Sequence, residues 1–162
     1  MISRKIQRKI TRIRTARNAK HKRSLRDFNK KISSELKNSF QRGTAGILFV
    51  CQENMSRSQG FEFSLRKALL ARGINTIRIS SAGTNAESGK PIVRMRRQLI
   101  EGGYPLEPVK DARTTKLTTG LVERNNLILV VDQKQKAKIL TQDENAAYKV
   151  FTINEFIYGK KN

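Results

Sequence analysis

Eight consecutive residues bring together a cysteine, an arginine and a serine at a spacing that suits covalent chemistry on an anion. Residues 51–58 read Cys-Gln-Glu-Asn-Met-Ser-Arg-Ser. The thiolate of Cys51 is a nucleophile, and the planar fork of Arg57 can hold two oxygens of a phosphate-like dianion. The Ser58 hydroxyl can donate a hydrogen bond to the sulfur and ease its departure. The segment therefore predicts a nucleophilic cysteine beside an anion-binding loop.

The elements on either side of this segment would position it. An apolar, β-prone run, Ile-Leu-Phe-Val at 47–50, comes first, and the residues after the segment share one helix face: Phe61, Leu65, Ala68 and Leu69. A loop between a strand and a helix can turn backbone N–H groups toward one point, and the helix adds its positive end. The same field favours the thiolate form of Cys51. The alternative is a buried core thiol beside a surface arginine, but the flanking strand and helix favour the anion site.

Strand-like and helix-like segments alternate through the rest of the chain. Three more apolar, β-prone runs lie at 76–80, 127–131 and 149–153. Helical patterns separate them: a face made of Ile92, Met95, Leu99 and Ile100, with Pro91 in the first turn, and weaker helices at 114–125 and Gln133–Gln142. This alternation predicts an α/β fold with a parallel sheet, and the near-continuous apolar strands indicate that helices cover both faces.

Composition excludes several classes of site. The 162 residues carry a net charge of +21, with a single cysteine and a single histidine. One cysteine excludes a disulfide framework, a Cys-based zinc module and a two-cysteine relay within one chain. No apolar run is long enough to span a membrane. A lone reactive thiol suits a reducing compartment, so we expect a cytoplasmic location, with peripheral membrane association as an extension of it.

Most of the positive charge lies in an N-terminal arm. Residues 1–44 hold 15 Lys or Arg and two acids, a net of +13, so we divide the chain into this arm and a globular domain at 45–162. Two apolar stripes at helical spacing run through the arm: Ile2, Ile6, Ile10 and Ile13, then Leu25, Phe28, Ile32, Leu36 and Phe40. Four interpretations stay open: a solvated tail, binding to an anionic membrane surface, binding to nucleic acid or an acidic partner, and a transit peptide.

Four segments in colinear order resemble one known family. They are residues 47–58, Ser-Ala-Gly-Thr at 81–84, Asn-Asn-Leu-Ile-Leu-Val-Val-Asp at 125–132, and Val-Phe-Thr-Ile-Asn-Glu-Phe-Ile-Tyr-Gly at 150–159. Together they resemble the low-molecular-weight protein-tyrosine phosphatases and the related arsenate reductases. The resemblance implies a three-layer fold with a four-stranded parallel sheet and helices on both faces. It also implies hydrolysis of phosphotyrosine-type phosphomonoesters in phosphorylated proteins through a cysteinyl-phosphate, with no metal or cofactor.

The resemblance assigns a role to each residue of the loop. Cys51 would be the nucleophile, Arg57 would bind phosphate and stabilise the transition state, and Ser58 would support the thiolate. Asn54 would hold the loop in shape by adopting a left-handed backbone conformation, which Asn tolerates. The remaining phosphate-binding loop residues would be Gln52, Glu53, Met55 and Ser56.

Several loop residues depart from the family pattern. Phosphatases of the family usually have Gly where this chain has Glu53, Cys where it has Ser56, and Pro where it has Gln59. Gln59 is similar to the arsenate reductases, but those enzymes need further cysteines, so arsenate reduction is disfavoured. Met55 resembles the apolar pocket-wall residue of the tyrosine phosphatases, whereas related protein-arginine phosphatases carry Thr. This favours aryl phosphates over phosphoarginine, although a Met that only fills space is an equal alternative.

The most serious departure concerns the general acid, which in the family is an Asp followed by Pro. No Asp-Pro pair occurs in the 162 residues, and the nearest acids, Asp143, Glu144 and Glu155, are expected to be solvated or helix-edge charges. A general acid contributes about 10²–10⁴-fold to rate, so we expect a weakened phosphatase. The alternative is a catalytically degraded phosphate-binding module that its basic arm localises.

The same comparison gives an expectation for the second arm stripe. The family's closing helix follows the Asp-Pro loop, so the chain is expected to end before it and to leave apolar surface on the sheet. We expect the stripe of Leu25, Phe28, Ile32, Leu36 and Phe40 to cover that surface, within one chain or in a homodimer.

Overall fold

The computed structural model of the protein describes residues 34, 38–39, 41–42, 45–90 and 92–159. Both apolar stripes of the arm lie outside these residues, and so do the docking of the second stripe and the position of Pro91. The division at residue 44 and the homodimer stay predictions. Among the described residues, no helix is both long and apolar enough to cross a lipid bilayer.

Four parallel strands form the centre of the fold, in agreement with the predicted sheet. They are β1 (Gly46–Cys51), β2 (Arg78–Gly83), β3 (Leu127–Val130) and β4 (Val150–Thr152), in the order β2-β1-β3-β4. The carboxyl ends of all four strands therefore meet at one edge, which is where open α/β sheets place their ligand sites. Cys51 ends β1 at this edge and pairs with Gly83, the last residue of β2.

Six α-helices and one 3-10 helix connect or follow the strands in residues 45–90 and 92–159. The helices are α1 (Arg57–Leu70), α2 (Val93–Glu101), α3 (Leu106–Lys110), α4 (Thr119–Glu123), α5 (Gln133–Gln142) and α6 (Ile153–Tyr158). The 3-10 helix covers Glu144–Tyr148. The spacing argument identified the positions of α1, α2 and α5, but it gave no indication of α3 or α6.

Helices cover both faces of the sheet, as expected. Leu48 and Val50 of β1 belong to a buried cluster that also holds Val122 of α4 and Ile139 of α5. Phe49, which lies between them in the strand, stacks instead on Phe61 of α1, with ring centroids 5.6 Å apart. Since successive strand residues point to opposite faces, α4 and α5 pack on one face of the sheet and α1 packs on the other.

The helix predicted at 114–125 is wrong for its first half, because only Thr119–Glu123 is helical. The backbone groups of residues 114–117 bond to the end of β2 and the loop after it, rather than to each other. Gly83 N donates to Thr115 O at 2.9 Å, and Leu117 N donates to Gly83 O at 2.9 Å. Thr118 then caps α4 by accepting from Leu121 N. Hydrogen bonds to residues far along the chain therefore outweigh the helical spacing of apolar residues in this segment.

The buried face of α1 also differs from the prediction. Phe61 is 40% exposed, and the other predicted face residues are half-buried, whereas Gln59, Glu62 and Phe63 are buried. Ile100 of α2 is likewise exposed. Two polar side chains of α1 are therefore buried, because their partners lie in the interior: Ser81 of β2 bonds Glu62, and Gln59 bonds Asn54 and Arg113 O.

Candidate active site

The end of β2 supports the loop of residues 51–58. Thr84 N donates to Cys51 O at 3.0 Å, and Asn85 N donates to Gln52 O at 2.7 Å. A Cβ atom on Gly83 would lie only 2.7 Å from Asn54 N and 2.7 Å from Gln52 O. Glycine at 83 therefore allows the loop to approach the strand, and a larger residue would displace the loop.

Two hydrogen-bond donors surround the buried sulfur of Cys51. The residue is 2% exposed. Its Sγ lies 3.0 Å from Ser58 Oγ, and it accepts a hydrogen bond from Asn54 N at 3.2 Å. Asn54 adopts the expected left-handed conformation, with φ of 56°, and this conformation turns its N–H toward the sulfur. Hydrogen bonds to sulfur favour the charged thiolate over the thiol.

The side chain of Asn54 determines which way the Ser58 hydroxyl points. Thr115 N donates to Asn54 Oδ1 at 2.7 Å, and a backbone N–H can only donate, so the amide orientation is fixed. Asn54 Nδ2 then donates to Ser58 Oγ at 2.9 Å. The hydroxyl proton of Ser58 is free to reach Cys51 Sγ at 3.0 Å, which is closer than its other acceptor, Ala82 O, at 3.5 Å.

A buried carboxyl group extends this network into α1. The second hydrogen of Asn54 Nδ2 goes to Ser81 Oγ at 2.8 Å, so Ser81 donates its own proton to Glu62. Arg66 pairs with Glu62 at 2.7 Å. Burial raises the pKa of Glu62, although Ser81 and Arg66 oppose the rise. The sequence interpretation missed Glu62, although its position four residues after Ser58 places both on one helix face.

A cavity of about 780 Å³ opens beside the loop at the carboxyl edge of the sheet. Its lining consists of Gln52, Arg57, Thr84, Asn85 and residues 131–135 and 138. Three lining side chains are cationic and one is anionic: Arg57, Lys134 and Lys138, with Asp132. Lys138 Nζ donates to Thr84 O at 3.0 Å and so ties α5 to the loop after β2. This charge balance favours an anionic substrate.

The other loop residues lie at the surface. Gln52, Glu53, Met55 and Ser56 are exposed, with Met55 at 41%. Glu53 is not among the residues that line the cavity beside Arg57. No three His, Cys, Asp or Glu side chains of the described residues form a group that could hold a metal ion.

The acids considered as replacements for a general acid hold structural positions or are exposed. Glu155 is buried rather than solvated, and it accepts from Lys136 Nζ at 2.6 Å, Thr152 N at 2.9 Å and Gln133 Nε2 at 3.1 Å. Burial alone raises the pKa of Glu155, but these hydrogen bonds together hold it below its usual range. Asp143 caps the 3-10 helix by accepting from Asn145 N, and Glu144 is exposed, as expected.

Asp132 is an acid at the cavity that the sequence interpretation did not weigh for this role. It follows β3 and lines the cavity with Arg57. Its Oδ1 accepts from Lys134 N at 2.9 Å and from Gln135 N at 3.2 Å, which makes it the N-cap of α5. The sequence signal was present, since an Asp directly before a helix pattern is a typical cap.

Comparisons with known proteins agree with this fold. Residues 46–162 match the family described as low molecular weight phosphotyrosine protein phosphatase. The probable low molecular weight protein-tyrosine-phosphatase EpsP of Ralstonia nicotianae is 31% identical over 109 residues, which cover 67% of this chain and 70% of that protein. A protein-arginine-phosphatase of Bacillus subtilis is 31% identical over 114 residues, which cover 70% of this chain and 73% of that protein.

Solved structures of the same family share the fold. A low molecular weight protein tyrosine phosphatase from T. tengcongensis has a TM-score of 0.65 at 28% identity, covering 73% of this chain and 78% of that one. A YwlE mutant from Bacillus subtilis has a TM-score of 0.64 at 29% identity, covering 73% of this chain and 77% of that one. The chain therefore belongs to the low-molecular-weight protein-tyrosine phosphatase family of hydrolases and is a cysteine-based phosphatase.

Proposed function

We propose that the protein hydrolyses phosphotyrosine-type phosphomonoesters of phosphorylated proteins, with Cys51 as the nucleophile. The observation that carries the proposal is the Ser58 hydroxyl, which Asn54 turns toward the sulfur 3.0 Å away. A hydroxyl donor at this distance stabilises a thiolate during attack and again when the sulfur departs. A buried core thiol has no need of such a donor.

The reaction has two steps. The Cys51 thiolate attacks phosphorus, so that an S–P bond forms while the bond to the leaving oxygen breaks. Water then attacks the cysteinyl-phosphate, which releases inorganic phosphate and restores the thiolate. The guanidinium of Arg57 lies at the first residue of α1, where its charge adds to the positive end of this 14-residue helix. Both stabilise the negative charge on the transferred group.

Met55 supports the choice of an aryl phosphate. It is 41% exposed beside Asn54 on the loop, where an apolar side chain can contact the ring of a phosphotyrosine. Among the similar proteins, one bears the name of a tyrosine phosphatase and another that of an arginine phosphatase, at the same 31% identity. Identity alone therefore does not select the substrate, and the proposed preference for an aryl phosphate rests on the apolar side chain of Met55.

A matched pair of substrates tests this choice. Peptides that differ only in carrying phosphotyrosine or phosphoarginine should be hydrolysed by the wild type with a preference for phosphotyrosine. Met55→Thr should reduce that preference, and Met55→Leu, which keeps an apolar wall, should preserve it. Faster turnover of phosphoarginine by the wild type would overturn the aryl assignment.

We propose further that the 162-residue chain acts without a dedicated general acid. No Asp precedes a Pro in its sequence. Lys136, Thr152 and Gln133 hold Glu155 as a carboxylate, and the backbone of α5 binds the Asp132 carboxylate. The leaving oxygen must then depart as an anion, which slows the first step for poor leaving groups.

Substitution of the loop residues tests the nucleophile. Cys51→Ser should abolish hydrolysis of p-nitrophenyl phosphate, and Arg57→Ala should lower both the rate and the affinity for inorganic phosphate. Arg72→Ala, at an exposed arginine just after α1, is the matched control and should keep full activity. Activity that survives Cys51→Ser would overturn the mechanism. A wild type that binds phosphate without turnover would identify a binding module instead.

A further inference from the structure

A second cavity, of about 390 Å³, shares Arg57 with the first one. It is a groove between α1 and α2, and its lining comes from both helices and the end of the loop: Ser56, Arg57, Gly60, Phe61, Ser64, Met95 and Gln98. Arg57 lines both cavities. The groove is thus continuous with the loop that would hold the phosphate.

The absence of a side chain at Gly60 creates the floor of the groove. A Cβ atom at this position would lie 2.9 Å from Met95 Cε, so Met95 packs directly on the backbone of α1. Glycine inside a helix costs about 1 kcal/mol relative to alanine, and here it allows α2 to approach while leaving the helix surface open. Farther along α1, Tyr104 donates a hydrogen bond to Ser64, another lining residue, at 3.3 Å.

Phe61 forms a preformed apolar wall of the groove. Its ring is 40% exposed, yet it stacks on Phe49 with an interplanar angle of 18°, so the exposed ring is held in place. Among the lining residues that the structure describes, Arg57 alone is charged. The lining also includes the polar residues Ser56, Ser64 and Gln98, so its apolar surface comes from Phe61 and Met95. A rigid, exposed aromatic surface beside a methionine is typical of a site that an apolar group covers.

The position of the groove identifies its occupant. A substrate that places its phosphate against Arg57 runs past the mouth of the groove, because Ser56 and Arg57 line it. Neighbouring residues of a peptide have Cα atoms about 3.8 Å apart, so the side chains next to the phosphorylated residue come within reach. We propose that this groove binds an apolar side chain of the phosphorylated protein, one or two residues from the phosphorylated residue. This proposal rests on the proposed function.

The test compares peptides that differ at one position. Phosphotyrosine peptides with Leu or Ala beside the phosphotyrosine, placed on each side in turn, are assayed with the full chain, and p-nitrophenyl phosphate serves as a substrate without flanking residues. Leu should raise kcat/KM about tenfold over Ala on one side, since a hydrophobic pocket discriminates by this order. Ser64→Leu, which fills the groove, should bring the ratio of kcat/KM for the Leu peptide to that for the Ala peptide close to one. It should leave p-nitrophenyl phosphate hydrolysis unchanged.

Two controls separate the effect of filling the groove from the effect of a misfolded variant. Ser64→Ala removes the hydroxyl that binds Tyr104 without filling the groove, and it should keep the tenfold ratio. If Ser64→Leu also loses p-nitrophenyl phosphate hydrolysis, Met95→Ala tests whether the groove binds the Leu side chain. This variant removes one wall and should lower the ratio, whereas Ile100→Ala, at an exposed apolar residue of the same helix, should not.

A binding measurement separates this proposal from the proposed function. The affinity of Cys51→Ser for the same fluorescent phosphopeptides is measured by anisotropy, which needs no turnover. Leu should again be preferred about tenfold. Equal affinity and equal kcat/KM for the Leu and Ala peptides on both sides would overturn the groove assignment, as would a preference that persists in Ser64→Leu. Tighter binding of the Leu peptides by a chain without hydrolytic activity would support the groove and count only against the proposed enzyme.

Discussion

Ser58 Oγ lies 3.0 Å from Cys51 Sγ and accepts a hydrogen bond from Asn54 Nδ2, so its own proton is free to reach the sulfur. The backbone N–H of Thr115 donates to Asn54 Oδ1 and so fixes the orientation of the Asn54 amide. The serine after the arginine therefore has a defined orientation, which a hydroxyl that only fills space would lack. This relationship gives the first prediction.

Ser58→Ala should lower kcat for p-nitrophenyl phosphate about 10- to 100-fold, because a hydrogen bond to a charged group contributes about 1.5–3 kcal/mol. The fold should remain intact, since Ala fits the same buried space. Ser64→Ala, six residues along the same helix at an exposed position, is the matched control. Steady-state kinetics at saturating substrate measure the effect. Equal kcat in Ser58→Ala and wild type would show that the sulfur does not need this donor.

Glu62 gives a prediction for stability as a function of pH. Burial raises the pKa of Glu62 above its ordinary value of 4.5, so the folded chain binds more protons than the unfolded chain between that value and the raised one. The free energy of unfolding must fall as the pH rises through this window. Glu62→Gln cannot ionise and still accepts from Ser81, so wild type should lose stability relative to the variant as the pH rises above about 4.5.

Urea unfolding at a series of pH values measures this difference. Glu101→Gln, at an exposed carboxylate paired with Arg97, is the control and should show no such loss. A difference between wild type and Glu62→Gln that stays constant across the series, or that changes in the opposite direction, would contradict the raised pKa of Glu62.

Local sequence was sufficient to predict the elements that flank the candidate site. Cys51, Arg57 and Ser58 lie within one short segment, and the apolar run before it and the helical spacing after it specify a strand and a helix. Their contacts are short-range, which is why the loop and its flanking elements could be inferred from residue order, whereas the left-handed Asn54 was an expectation from the family resemblance. The parallel sheet followed from the alternation of strands and helices.

The parts that could not be predicted depend on partners far along the chain. Thr115 lies 61 positions from Asn54, yet its backbone binds that side chain and keeps residues 114–118 out of the predicted helix. The burial of Glu62 likewise depends on Ser81, 19 positions away. A pattern of apolar residues carries no information about such polar partners, so it assigned the wrong inner face to α1.

The leaving group should control the rate of the 162-residue chain. If the chain acts without a general acid, as we propose, kcat/KM should fall steeply from nitrophenyl to phenyl phosphate. Asp132→Asn retains a helix cap, and Glu155→Gln retains an acceptor for Lys136, so neither should change the slope against the leaving-group pKa. A flat dependence in wild type that becomes steep in either variant would identify that residue as the acid.

The basic arm should bind anionic surfaces through its positive charge. Residues 1–44 carry a net charge of +13, so their affinity for anionic vesicles or for nucleic acid should fall sharply between low and physiological salt. Removal of residues 1–23 should abolish most of the binding. Cosedimentation at several salt concentrations measures it, and neutral vesicles are the control. Binding that salt does not weaken would indicate a contact through the isoleucine stripe instead.

The covalent intermediate tests the central claim most directly. Rapid acid quenching during turnover of a phosphotyrosine peptide, followed by mass spectrometry, should find a phosphoryl group on Cys51 and on no other residue. Asn54→Ala should reduce its rate of formation, because the Ser58 hydroxyl then loses its orientation. Turnover with no phosphoryl group on Cys51 at any time point, or with the group on another residue, would contradict the assignment of Cys51 as the nucleophile.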